Sequence, residues 1–345
     1  MIKECVASSK GDVTLYTITN ASGSSVKLSS VGAGIVSVVV PDASGKMADV
    51  VIGYPNVDDY FYDGPYAGKV PGRYANRIAK GHFSIDGKEY TLAINNGPNA
   101  LHGGPESFGQ KIWASEEVEN GVRFSLESPD GEEGYPGNLK VTATYTWSEN
   151  NELRLDFVAV CDQKTVINLT NHAYFNLDGE SAGTVLDHML RLAASRYLPT
   201  DDTLIPSGEI AEVAGTPMDF TSEKRIGAEI KADFPALNYG KGYDNCWVVD
   251  NWTPGELKTV AWLRSEKSGR VLEVATTQPA AQVYTGNWLA GCPKSKSGKD
   301  YQDYDGVAIE CQGFPDAPNH ANFPSQLLEP GQEYKQTIVF TFKTK

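Results

Sequence analysis

Where the chain shows a clear pattern, apolar residues recur at every second position, the period of a strand with one buried face. Val141-Thr-Ala-Thr-Tyr-Thr-Trp147 alternates without a fault, and Leu153-Arg-Leu-Asp-Phe157 repeats the pattern after a polar turn spanning Ser148 to Glu152. Two such runs predict a hairpin. Phe83-Ser-Ile85 and Tyr90-Thr-Leu-Ala-Ile94 flank Asp86-Gly87, a dipeptide suited to the two positive φ angles of a type I′ turn. Residues 13–18, 35–40, 122–126, 271–276, 307–310 and 337–342 are predicted strands on the same grounds. Helical periodicity is poor, and residues 221–230 supply a short helical piece at most. The 34 Gly and 19 Pro are spread throughout, and many short strands joined by turn-rich loops predict an all-β sandwich or barrel. No low-complexity linker, abrupt charge shift or internal repeat divides residues 1–345, so one domain is expected.

Charge narrows the partners. A net charge of -14 argues against nucleic acid and anionic membrane, both of which demand clustered Lys and Arg. The first residues show no basic-then-apolar leader, and no apolar run is long enough to span a bilayer, so a cytoplasmic location is the expectation. The five cysteines are scattered without a C-x-x-C pair, which predicts free thiols. Three N-x-S/T sequons, beginning at Asn20, Asn168 and Asn251, read as chance matches in such a chain.

Several familiar chemistries find no foothold. Gly32-Ala33-Gly34 lacks the third glycine of a dinucleotide turn and runs into Ile35-Val-Ser-Val-Val-Val40, a strand and not a helix. No phosphate-binding G-x-x-x-x-G-K, zinc-binding H-E-x-x-H or nucleophile G-x-S-x-G occurs, and no metal site is expected. What remains is acid–base chemistry. His172 lies in Asn168-Leu-Thr-Asn-His-Ala-Tyr-Phe-Asn-Leu-Asp178, among amides, a hydroxyl and two rings. Imidazole exchanges protons near neutral pH, and rings beside polar groups make a seat for a sugar. His102 precedes Gly103 and Gly104, which let the backbone turn and leave the ring accessible. His82, His188 and His320 lack such surroundings and read as surface or packing residues. In Gly72-Arg-Tyr-Ala-Asn-Arg77, Arg73 and Arg77 share a side if strand alternation holds, and the forked Arg77 suits vicinal hydroxyls or a carboxylate as well as a surface ion pair. Asp244 sits among Tyr239, Tyr243 and Trp247. Glu310 ends a strand whose period puts Val307 and Ile309 on one face and Gly306, Ala308 and Glu310 on the other, the small-residue face where a ligand has room. Taken together, the two acids suit a glycosidase pair or a base with a hydroxyl acceptor.

In combination these motifs resemble the aldose 1-epimerase family of the galactose mutarotase type. The resemblance rests on Gly72-Arg-Tyr-Ala-Asn-Arg-Ile-Ala-Lys-Gly81, Asn99-Ala-Leu-His-Gly-Gly104, residues 168–178, Gly242-Tyr-Asp244, Gln282-Val-Tyr-Thr-Gly-Asn287 and Glu310, in the family's order. It implies a large antiparallel β-sandwich with the sugar in an open cleft. It implies Glu310 as general base, His172 as general acid and His102 as the second site histidine, with Asn76, Arg77, Tyr174, Asp244 and Gln282 as sugar-binding positions. It also implies interconversion of the α and β anomers of galactose or glucose without metal or organic cofactor, by a monomer or homodimer. His82 and the Pro293-to-Tyr304 loop do not align with the family. The expected chemistry pairs an ionised Glu310 with a protonated His172, each charge favouring the other while burial opposes both. The other readings are an epimerase of hexose 6-phosphates, a β-sandwich glycoside hydrolase, and a carbohydrate-binding protein without catalysis.

Overall fold

The computed structural model describes residues 1–345. Three antiparallel sheets carry the architecture. A five-stranded meander takes the first part of the chain, from Ile2–Ser8 to Met47–Asp49. A nine-stranded sheet follows the order Ala114–Val118, Gly121–Ser128, Leu139–Trp147, Glu152–Cys161, Tyr334–Thr344, Arg270–Thr276, Lys258–Arg264, Met189–Leu192 and Lys224–Arg225. A six-stranded sheet follows the order Tyr174–Phe175, Val307–Gln312, Ala280–Tyr284, Asp244–Val248, Arg196–Leu198 and Ala211–Glu212.

The sequence alternation is what lets these sheets face one another. In Leu139–Trp147 every second side chain is buried, and Glu152–Cys161 pairs with it through Trp147 opposite Leu153. Inward residues of all three sheets, among them Val38, Phe157, Trp247 and Ile309, meet in one core cluster of 59 buried residues. The expected all-β sandwich is therefore the fold observed, and its strands are largely those the pattern gives.

Three local differences have plain causes. The strand expected at residues 90–94 runs instead over Lys88–Thr91, because its partner begins only at His82, after the 3-10 turn Ala79–Gly81, and the Leu92 N–H to the Gly81 carbonyl is the last bond of the hairpin. The turn before it is as expected, with φ of 52° at Asp86 and 80° at Gly87. Residues 221–230 hold a two-residue strand at Lys224–Arg225 and a single 3-10 turn at Ile226–Ala228 in place of the helical piece. Short helices at Asp59–Tyr62 and Pro235–Gly240 were not anticipated; the second begins on a proline, whose fixed φ and missing N–H suit a first helical turn.

Candidate active site

The site lies on the outer face of the six-stranded sheet, away from the 59-residue core. In Val307–Gln312, Val307, Ile309 and Cys311 join the core, so Ala308, Glu310 and Gln312 project the other way. Strand register then fixes the neighbours. Tyr174 lies opposite Ala308, Ala308 opposite Tyr284 and Tyr284 opposite Asp244. One step along, Glu310 lies opposite Gln282, and Gln282 opposite Cys246. Residues far apart in sequence thus share one patch.

Above this patch is a cavity of about 690 Å³ lined by Asn76, Arg77, His102, His172, Tyr174, Asp244 and Glu310, among others. Gln282 stands behind them and reaches the cavity wall through Asp244, to whose Oδ1 its amide donates at 2.6 Å. Arg77 approaches the other oxygen of Asp244 at 3.8 Å and donates through Nε to Asn96 Oδ1 at 3.1 Å. Asp244 is therefore held from two sides. Nε2 of His172 lies 3.5 Å from Oε1 of Glu310. The His102 ring meets that of His172 edge-on at 5.2 Å and leans on Tyr66 at 5.0 Å. Its Nδ1 accepts the Asn76 N–H at 3.2 Å, which leaves Nε2 as the free nitrogen of the ring. Gly103 keeps this loop close to residues 72–76: its φ is +92°, and a Cβ there would stand 1.9 Å from the Gly72 carbonyl oxygen. Tyr174 is fixed by donation from its hydroxyl to Pro65 at 2.9 Å.

Arg73 departs from expectation. It does not share a side with Arg77; its guanidinium is buried away from the cavity and donates to the carbonyls of Ser128, Pro129, Pro136 and Gly137. His82 pairs with Glu89 at the surface, and His188 is buried, accepting the Leu177 N–H at Nε2. Both match the packing or surface roles expected of them. Asn96, Tyr284, Trp288 and Thr203 also line the cavity. Tyr284 falls within the Gln282-to-Asn287 motif; Trp288 directly follows it, and Asn96 and Thr203 carry no signal in sequence, because loop closure alone brings them in. All five cysteines are free, and no group of three or more His, Cys, Asp and Glu is placed to hold a metal ion.

Electrostatics corrects the expected charge state. Burial pushes the His172 imidazole down to about 3 and holds His102 well below the usual histidine range. Burial, reinforced by Asp244 and opposed by Arg77, holds the Glu310 carboxyl well above the usual carboxylate range. At 3.5 Å, and at an effective dielectric constant of about 20, an ion pair would gain roughly 5 kcal/mol. Desolvating two ions costs several kcal/mol each. Burial therefore favours the neutral forms of both groups over the ion pair anticipated from mutual attraction.

Comparisons with known proteins identify the family of the chain and bear on its fold. The aldose 1-epimerase family model matches residues 14–341. A galactose mutarotase of Homo sapiens is 46% identical over 317 residues, covering 92% of this chain and 90% of its own. An aldose 1-epimerase of Escherichia coli is 38% identical over 334 residues, covering 95% of this chain and 94% of its own. The crystal structure of an aldose epimerase homologue from C. elegans superposes with a TM-score of 0.88 at 35% identity, over 96% of this chain and 98% of that one. A family match across almost the full length, and relatives well above a third identical, leave one conclusion: the chain belongs to the aldose 1-epimerase family.

Proposed function

We infer that this protein interconverts the α and β anomers of free aldohexoses, with galactose and glucose the leading substrates, and that Glu310 and His172 carry the proton transfers. The observation that supports this most strongly is the 3.5 Å approach of the two groups in the wall of one cavity. The hemiacetal oxygens they must serve are bonded to a single carbon, so a closely spaced pair suits them.

A neutral pair and an ion pair contain the same single proton. Sugar binding shifts it: a C1 hydroxyl donating to Glu310, with Arg77 nearby, favours the carboxylate, and the imidazole receives the proton. Glu310 then takes the proton of the C1 hydroxyl while His172 gives one to the ring oxygen, and the ring opens to the aldehyde. Rotation about C1–C2 presents the other carbonyl face, and closure runs the transfers in reverse. Each positioned acid or base contributes about 10²–10⁴-fold in rate. Arg77, Asn76 and the Gln282–Asp244 pair orient hydroxyls, His102 presents Nε2 beside His172, and Tyr174 walls the ring. The shared core supports a single domain over residues 1–345, and free thiols at all five cysteines suit a cytoplasmic setting.

A hexose 6-phosphate fits less well. Arg77 is the one Lys or Arg among the lining residues, against the carboxyls of Asp202, Asp244 and Glu310. The test is polarimetry on freshly dissolved α-galactose, α-glucose and galactose 6-phosphate, with an aryl galactoside as hydrolysis control. Faster loss of rotation for the free hexoses, little for the phosphate and no reducing sugar released is the expected result. Sugar affinity without acceleration would make the protein a binding module; released aglycone would make it a hydrolase.

A further inference from the structure

Gln312 follows Glu310 by two residues on the same face of Val307–Gln312 and belongs to none of the contacts described so far. It is fully buried, yet neither its amide oxygen nor its amide nitrogen has a hydrogen-bond partner. Thr170 Oγ1 and Glu310 Oε2 are likewise buried and unpartnered. Such groups are few in native proteins, and each calls for a cause.

These four atoms are neighbours by construction. Residues 168–174 run antiparallel beside Val307–Gln312. Asn168 exchanges hydrogen bonds with both the N–H and the carbonyl of Gly313, at 2.7 and 3.3 Å. His172 meets Glu310, and Tyr174 lies opposite Ala308. Continuing the Tyr174–Ala308 register by steps of two sets His172 opposite Glu310 and Thr170 opposite Gln312. Gln312 and Glu310 are consecutive same-face residues of one strand, about 7 Å apart along the backbone, and no direct hydrogen bond joins their side chains, which leaves that link to a bridging molecule. On the far side Leu198, Cys246, Val248, Ala280 and Phe314 close the space with apolar surface. A buried water needs two to four polar partners, and a polar contact beyond bonding distance is the usual place for one.

We propose that Gln312 is a positioning residue for Glu310: with Thr170 it holds one internal water whose proton points at Glu310 Oε2. This rests on the reading of Glu310 as the base. The water donates to the carboxylate from behind and fixes its rotamer while the front oxygen meets His172 and the sugar. Gln312 never touches substrate. The titratable groups around Glu310 are His172, Arg77, Asp244 and Tyr174 on the cavity side, Cys246 beside Gln312, and Cys311 on the core face of the same strand; burial pushes both thiols up.

The test is Gln312→Met, which keeps the volume and removes the amide, with Thr170→Val as an independent removal of the second water ligand. Both are compared with wild type for kcat, KM and the pH profile of α-galactose mutarotation. Loss of one hydrogen bond to a charged group corresponds to roughly a ten- to hundred-fold fall in kcat. KM should change little, and the acid limb of the profile should move up by about one pH unit as the carboxylate loses its donor. Thr170→Val should shift the limb in the same direction and covers the case in which Gln312→Met fails to fold. An unmoved acid limb in a folded variant of either kind overturns the proposal, even if stability changes, because an idle buried amide replaced by methionine alters packing alone. Absence of mutarotation in wild type would instead defeat the reading of function itself, so the two failures are distinguishable.

Discussion

An imidazole and a carboxyl 3.5 Å apart, each pushed towards its neutral form by burial, look unpromising as an acid–base pair until the proton they share is followed. Burial favours that proton on Glu310 and the neutral form of His172; in the proposed reaction the substrate's own hydroxyl is what moves it. Two outcomes belong to this scale. His172→Asn should lower kcat by about 10²–10⁴-fold with an unchanged circular dichroism spectrum. Near-wild-type turnover would remove His172 from the chemistry. Arg77→Lys keeps the charge but loses the fork that spans Asn96 and Asp244. A fall of roughly ten- to hundred-fold in kcat/KM is expected, since a lysine cannot reproduce a bidentate donor set. Steady-state rates on galactose measure it.

At the scale of elements, one strand does most of the placing. Val307–Gln312 presents core residues on one face and Ala308, Glu310 and Gln312 on the other, and that division was legible from the period-2 pattern alone. So were the Leu139–Trp147 hairpin and the Asp86-Gly87 turn, because local side-chain alternation and turn chemistry decide them. What could not be read is anything settled by loops meeting at a distance. Arg73 and Arg77 are near-identical in sequence setting, yet Arg73 ties the residue 72–76 loop to the carbonyls at 128–137 while Arg77 enters the cavity. The same holds for Asn96, and for the charge of Glu310, which depends on how deeply the fold buries it. Arg73→Met should accordingly destabilise the fold by about 1–3 kcal/mol for each buried carbonyl left without a donor, with little change in KM. Denaturant unfolding beside galactose kinetics separates the two effects; a large KM change with unaltered stability would place Arg73 in the site after all.

For the whole molecule, the fold buries His102, His172 and His188 and makes stability depend on pH. His188, whose Nε2 accepts the Leu177 N–H, is pushed by burial from its ordinary 6.5 down to about 4. The unfolded chain binds that proton first. The stability from neutral His188 is therefore fully present above pH 6.5 and is lost as pH falls towards 4. Between pH 7.5 and 5 the loss amounts to about 2 kcal/mol. Asp63 and Glu310, raised by burial, act in the opposite sense, so the clean readout is a difference. The stability gap between wild type and His188→Gln should narrow by about that amount over this interval, as guanidinium titrations at the two pH values would show. A gap independent of pH would mean that His188 titrates normally in the fold.

The central claim is that Glu310, on the outer face of the six-stranded sheet, is the base that opens the sugar ring. The most direct measurement follows the optical rotation of fresh α-galactose with equal amounts of wild type and Glu310→Gln, each verified as folded. Wild type should bring the rotation to equilibrium far ahead of the spontaneous reaction, and Glu310→Gln should fall back close to the spontaneous rate. Equal curves for the two proteins, both well above the uncatalysed one, would contradict the claim and send the search for the base elsewhere in the cavity.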